Sequence, residues 1–399
     1  MKSPTVRNLF QLLTLLLLAL VVAIGGHFWI SDRNRVLRWC YPAEAWLAKQ
    51  QIHCSAGAPV WLPELLEHAV DEQFSLANQI AYRAPDGALH HCENGWQGAL
   101  FRSPVVSAQT RFRYASLSKL LTADAVLARI NSGALSLDDR LVGYLSELPP
   151  LRDARIADIT IDQLLRHRAG FDRLKTQDPM TAHGKRPWCP DRLAELASQR
   201  LDFEPGRRFA YANLGYCLLG SVLERLEGKS FPEIMEDDYR IAARGMVYLD
   251  GPYLADEVRY DFRNSGFYGP DYHRHFDFPA LASSAGLSGN ASALAELIGE
   301  MLQRKPLNLL SATRSGDCDE RRYEGCYGYA LIEYRPDWAP LKLYIQGGLL
   351  YGAASKAVVD DRGGVTVWLG SGMSPAPRDS SIAFADLLLE KLAFHYGLN

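Results

Sequence analysis

The longest unbroken apolar stretch lies near the start of the chain. Residues 9–30 carry only Gln11, Thr14 and His27 as polar breaks and no Asp, Glu, Lys or Arg. Wound as a helix, that length crosses the roughly 30 Å hydrocarbon core of a bilayer. Lys2 and Arg7 precede it and Arg33, Arg35 and Arg38 follow, so the flanking charge is nearly balanced and sets no orientation. No small-x-small cleavage site comes directly after it, which favours an uncleaved anchor over a cleaved signal peptide for residues 1–31. Residues 32–69, broken by aromatics and prolines, read as a membrane-proximal connector.

From residue 70 the pattern changes. Residues 74–83 and 88–93 read as paired strands around the turn Ala84-Pro85-Asp86-Gly87. A helical pattern follows over 116–130, where Leu117, Leu120, Leu121, Ala125, Leu127 and Ala128 make a broad apolar face. Asn131-Ser132-Gly133 stops it, with glycine where a left-handed cap falls. Residues 159–167 read as a capped helix halted at Gly170, and residues 171–310 mix helices with aromatic and charged loops. Strand patterns return at 327–334, 341–346, 353–360 and 365–371, with Asp361-Arg362-Gly363-Gly364 as a turn, before a closing amphipathic helix over 380–395. Strands at both ends with helices between them predict an α+β fold. In it one sheet is built from both ends of the chain, and a mostly helical insert spans roughly 135–310.

Composition narrows the function. The 399 residues are 48% hydrophobic and 22% charged, with a formal net charge of −3. No basic field speaks for nucleic acid, and no Walker loop, Gly-x-Gly-x-x-Gly turn or zinc-finger spacing speaks for a nucleotide cofactor or a metal. Of seven cysteines, Cys217 lies in an apolar run and reads as a buried thiol. Cys40, Cys54, Cys92, Cys189, Cys318 and Cys326 lie in polar contexts and suit three disulfides in an oxidising compartment. Cys40 with Cys54 and Cys318 with Cys326 are near enough in sequence to pair, which leaves Cys92 with Cys189; other connectivities stay open. Disulfides would place the main domain on the outer or periplasmic side of the membrane. His273-Arg274-His275 and His90-His91-Cys92 read as solvated loops rather than metal sites, and His167 as a structural residue.

The chemistry centres on Ser116-Leu117-Ser118-Lys119. Three residues on a helix set Lys119 one turn from Ser116 on the same face. A hydroxyl becomes a nucleophile when a base removes its proton, and a neutral amine one turn away can do so. A helix start also offers a free backbone N–H to an oxyanion. Ser-x-x-Lys alone recurs by chance, and an ordinary amphipathic helix satisfies it equally well.

A second stretch, Phe209-Ala210-Tyr211-Ala212-Asn213-Leu214-Gly215, changes the weighing. With it the chain resembles the serine β-lactamase and penicillin-binding-protein superfamily, most of all its class C and esterase branch. Leu164-Leu165-Arg166-His167-Arg168-Ala169-Gly170 and Ser284-Ala285-Gly286-Leu287-Ser288 add to the likeness, which covers roughly residues 70–395 in order. The resemblance implies a β-lactamase/DD-peptidase-like fold with an antiparallel sheet flanked by helices. It implies Ser116 as nucleophile, with Lys119 and Tyr211 sharing the proton work, and Asn213 holding a polar group of the substrate. In the strand motif Gln346-Gly347-Gly348 the chain departs from the family, because Gln346 stands where Lys or His is usual. Gly347 and Gly348 leave room for substrate against the backbone, and the match gives Leu349 the second oxyanion N–H.

A neutral amide at Gln346 offers hydrogen bonds but no charge attraction for the carboxylate of penicillins or D-alanyl peptides. The expectation is therefore an anchored, outward-facing serine hydrolase of small-molecule or peptide esters or amides with weak or no β-lactamase activity and no cofactor. The alternatives are a non-catalytic relative that binds a ligand as receptor or scaffold, and a D-alanyl carboxypeptidase or β-lactamase. No Gly-x-Ser-x-Gly elbow supports an α/β-hydrolase.

Overall fold

The computed structural model of the chain describes residues 4–145, 147–175, 178, 186–265, 268–312 and 316–398. Helix α1, Pro4–Ser31, contains a 24-residue segment, Asn8–Ser31, long and apolar enough to cross a membrane. None of that segment is buried against the protein. The next stretch, expected as a connector, is structured. It forms α2 (Arg33–Lys49), the short strand β1 (His53–Cys54) and α3 (Trp61–Glu72). Asp32 caps α2 by accepting from Arg35 N, and α2 is tied to the main body through Arg263, which bonds Leu37 O at 2.6 Å and Glu44 at 2.7 Å.

The main sheet has seven antiparallel strands. From the N-terminal part come β1, β2 (Asn78–Arg83) and β3 (Leu89–Asn94). Between them and the rest lie three short strands of a second sheet, β4 (Phe112–Arg113), β5 (Val247–Tyr248) and β6 (Leu287–Gly289), in the order β4-β6-β5. The C-terminal part contributes β7 (Ile332–Tyr334), β8 (Leu343–Leu350), β9 (Ala353–Asp360) and β10 (Val365–Gly370). The main order is β1-β3-β2-β10-β9-β8-β7. The two ends of the chain meet where β2 pairs with β10, Ile80 opposite Trp368, as strand patterns at both termini predict. β9 and β10 are buried at every position, because both faces of the sheet are covered there.

One face packs on α3 and the closing helix α10 (Pro377–His395). Leu62, Leu65 and Leu66 of α3 are fully buried there, each worth about 1.5–3 kcal/mol of apolar burial. The other face meets the helical region: α4 (Ser118–Asn131), α5 (Ile161–Leu165), α6 (Asn213–Glu227), α7 (Phe231–Tyr239), α8 (Ala282–Ala285) and α9 (Ala291–Met301). α5 opens with a capping box between Thr160 and Gln163, and Gly133 after α4 has φ +79°, the left-handed cap the sequence calls for.

Disulfides join Cys54 to Cys92, Cys189 to Cys217 and Cys318 to Cys326. Only the last is a pairing favoured by sequence proximity. Cys54 stands directly opposite Cys92 where β1 pairs with β3, so Cys40 is left free and exposed on α2. Cys217 is not a thiol. It and Cys189 are each 1% exposed, and an apolar run hides a buried disulfide as readily as a buried thiol. His91 also departs from expectation: it lies on β3, and with His53 it faces the buried Glu93 carboxylate at 2.6 and 3.2 Å.

Candidate active site

Strand β4 ends at Arg113, and the chain then turns sharply into one turn of 3-10 helix, Ala115–Leu117, that runs on into α4. Ala115 makes the turn at φ +50°, a left-handed backbone that costs a non-glycine residue on the order of 1–3 kcal/mol. Its surroundings over-determine it. Ser118 Oγ donates to Ala115 O at 2.8 Å and accepts from Leu287 N at 3.1 Å. Ser355 Oγ, on β9, donates to Tyr114 O at 2.8 Å. Ser116 is thereby held half-exposed at the mouth of the turn.

Lys119 is completely buried below it. Its Nζ donates to Ser116 Oγ at 3.3 Å, to Asn213 Oδ1 at 2.7 Å and to the backbone carbonyl of Ser284, in α8, at 2.8 Å. Three donors meet three acceptors, so the amine is aimed rather than merely enclosed. Tyr211 comes in from the loop before α6, and its hydroxyl donates to Ser116 Oγ at 2.9 Å. The serine oxygen thus lies within hydrogen-bond range of both a phenol and an amine.

Asn213 opens α6 and is itself held at both ends. Asp178 accepts from its backbone N at 2.8 Å and from its Nδ2 at 3.0 Å. That carboxylate fixes the amide so that Oδ1 turns to Lys119. Behind Tyr211, His167 stacks at 4.3 Å between ring centroids and lies 4.8 Å from Tyr327. Burial, helped by the Lys119 charge, holds the imidazole well below its usual range, so His167 is a neutral packing partner. Burial likewise pushes the Tyr216 and Tyr327 phenols well above theirs.

β8 closes the other side. A Cβ on Gly348 would lie 2.2 Å from Ser355 Oγ and 2.7 Å from Tyr114 O; glycine is required because the strand lies directly on the Ser116 turn. Gly347 faces open space, with nothing within 4 Å of such a Cβ, and Leu349 is exposed. Gln346 is 2% exposed and engaged by the protein. Its Oε1 accepts from Tyr327 OH at 3.1 Å, and its Nε2 donates to Ser116 O at 3.3 Å and Gly347 O at 3.1 Å. Ser116, Tyr211 and residues 346–349 all line one cleft of about 610 Å³. Lys119 and Asn213 stand behind its floor.

The structure therefore brings together the eight positions singled out by sequence. Sequence reasoning missed Asp178, the Ser284 carbonyl and Tyr327. Asp178 lies in a stretch without periodicity, and a backbone carbonyl has no residue-type signal. Among the described residues no group of three or more His, Cys, Asp or Glu is arranged to hold a metal.

The family model described as Beta-lactamase matches residues 84–391. The "Probable fimbrial assembly protein FimD, serogroup H1" of Dichelobacter nodosus is 38% identical over 352 residues, 88% of this chain and 89% of that protein. The D-amino acid amidase from Ochrobactrum anthropi SV3, complexed with L-phenylalanine, superposes with a TM-score of 0.66 at 17% identity, covering 84% of this chain and 98% of that one. A "Beta-lactamase/D-alanine Carboxypeptidase" from Yersinia pestis gives 0.63 at 16% identity over 84% and 99%. At such identities these two structures establish the shared fold.

Proposed function

This chain belongs to the beta-lactamase family, and on that premise we propose that it is a serine hydrolase that cleaves an ester or amide through an acyl-enzyme on Ser116. The observation that carries the reading is the convergence of hydroxyl, amine and phenol, with Ser116 Oγ 3.3 Å from Lys119 Nζ and 2.9 Å from Tyr211 OH. Once the Lys119–Tyr211 pair has given up one proton, as a neutral amine or a phenolate, Ser116 Oγ attacks the carbonyl carbon and its own proton fills the vacated place. The N–H groups of Ser116 and Leu349 hold the oxyanion. Collapse expels the leaving group, which takes up a proton from the same pair, and water then attacks the acyl carbonyl and frees Ser116. Asn213 acts from behind, as the acceptor that keeps Lys119 aimed.

Gln346 supports a substrate other than a β-lactam. It is neutral, and its amide is already engaged by Tyr327 and by the Ser116 and Gly347 carbonyls, so it offers a β-lactam carboxylate little. Weak or absent nitrocefin turnover beside measurable cleavage of short aryl esters is the expected pattern. A fluorophosphonate should label the full chain stoichiometrically at Ser116 and fail to label Ser116→Ala; a folded wild-type protein that takes no label would instead be a ligand-binding receptor. The apolar segment Asn8–Ser31 and the three disulfides support an anchored domain on the outer side of a membrane. The near full-length likeness to a protein named for fimbrial assembly supports surface-fibre assembly as the setting. Loss of fibres in a Ser116→Ala strain tests that setting, and normal fibres would remove it.

A further inference from the structure

The cleft does not end at the Ser116 turn. Beyond Gly347 it reaches Lys356, on β9, and Ser381, on α10. Lys356 is 4% exposed. Its Nζ makes one hydrogen bond, to Ser381 Oγ at 2.8 Å. The rings of Trp368 and Phe384 stand 5.9 and 5.6 Å away. Among the described residues no carboxylate is within ion-pair range of Nζ, and two of its three donors have no acceptor. A desolvated ammonium without a counter-charge is costly and is ordinarily paired or neutralised. Burial pushes this one down to about 8, which leaves it mostly protonated at neutral pH.

The nucleophile and this lysine line the same cleft. Gln346 Nε2 touches Ser116 O; Gly347 is the next residue, and Lys356 is its cross-strand partner. Pairing of β7 with β8 stops at Ile345, so among the described residues no strand pairs with that edge beyond it. The missing side chain at Gly347 leaves space where a Cβ would meet nothing within 4 Å. Of the acidic groups on the cleft, Glu324 faces Arg378 and Asp172 faces Arg208, each at 3.8 Å.

We propose that this arm of the cleft is an anion subsite, in which Lys356 and Ser381 bind a carboxylate that the substrate carries at a distance from its scissile carbonyl. The proposal rests on the hydrolase reading for its link to catalysis, and it names the substrate class: acyl donors with a free carboxylate. The cation absent at Gln346 is supplied one strand further on, where it selects a different shape of molecule.

The test uses two readouts on the full chain in detergent. The first is calorimetric binding of glutarate to wild type, Lys356→Met and Lys356→Gln. The second is the ratio of kcat/KM for mono-p-nitrophenyl glutarate over p-nitrophenyl butyrate. We expect glutarate affinity and the ester ratio each to fall about tenfold or more in whichever of the two variants retains the wild-type melting transition, as loss of a charge-assisted hydrogen bond predicts. Ester cleavage with a ratio and glutarate affinity unmoved by either substitution overturns the subsite and leaves the hydrolase standing. Lys356-dependent glutarate binding without cleavage of any ester keeps the subsite and removes the hydrolase. No glutarate binding and no ester preference in wild type overturns the subsite outright.

Discussion

Two lysines are buried on the two sides of the main sheet, and their surroundings are opposites. Lys119, on the helical side, spends its three donors on Ser116, Asn213 and Ser284. Lys356, on the α3–α10 side, has the Ser381 hydroxyl and two aromatic rings. The first is a part of a completed network, and removing it strands acceptors. The second is an incomplete site, and removing it strands only a hydroxyl that can rotate. The difference shows that burial alone does not identify the job of a charged group; its unfilled hydrogen-bonding capacity does.

That contrast can be broken in graded ways. The largest effect is expected from Lys119→Met, which should lower kcat for an aryl ester about 10³-fold, within the span of general acid–base contributions. Tyr211→Phe should cost about 10²-fold by the same measure. Stopped assays on folded protein check both, and near-wild-type turnover in either would dissolve the proposed proton network. In stability the two lysines should part company. Lys119→Met leaves Asn213 Oδ1 and Ser284 O without their donor, and each stranded buried acceptor costs about 1–3 kcal/mol. Lys356→Met replaces an unpaired buried ammonium by an apolar chain of similar length and should leave the denaturation midpoint unchanged or raised.

A comparable pair exists on β8. Gly348→Ala drives a methyl against Ser355 Oγ and Tyr114 O and should destabilise by about 1–3 kcal/mol. Gly347→Ala, facing open cleft, should stay within about 0.5 kcal/mol of wild type. Urea titration separates the two, and equal losses would mean that β8 does not lie on the Ser116 turn as described. The smallest effect is in the pH profile. Lys356 has a folded-state value of about 8 against an ordinary 10.5. Between those values the unfolded chain binds more protons than the folded one, so this residue's contribution makes stability rise with pH across that window. Wild type should therefore show a more positive slope of stability against pH there than Lys356→Met, and identical slopes would mean Lys356 is solvated.

Much of the candidate site is legible because it is made of residue types that stand in short motifs. Ser116, Lys119, Tyr211 and Asn213 stand in two short motifs, and Gly347-Gly348 in a third. What escaped were partners without such a signature. Asp178 orients Asn213 from an aperiodic loop, Ser284 contributes only its carbonyl, and Tyr327 engages Gln346. The disulfides show the same limit. Cys318–Cys326 is local and was readable, whereas Cys54–Cys92 depends on the register between β1 and β3. Residues 32–69 read as a connector because their prolines and aromatics break the pattern, yet α3, which begins among them at Trp61, buries three leucines against the sheet.

The order of polar and apolar residues was enough to place strands at both ends and helices between, because side-chain period follows local backbone geometry. It also placed the serine and the lysine on one helical face, which is a matter of three residues' rise. Only the tertiary structure decided that a phenol 95 positions away reaches that serine. It alone decided that Gln346 is filled from within, and that a lysine with no motif stands unpaired behind a glycine. Those facts depend on which surfaces the closed sheet presses together, and no local pattern encodes the distance between parts of a chain that meet only after folding.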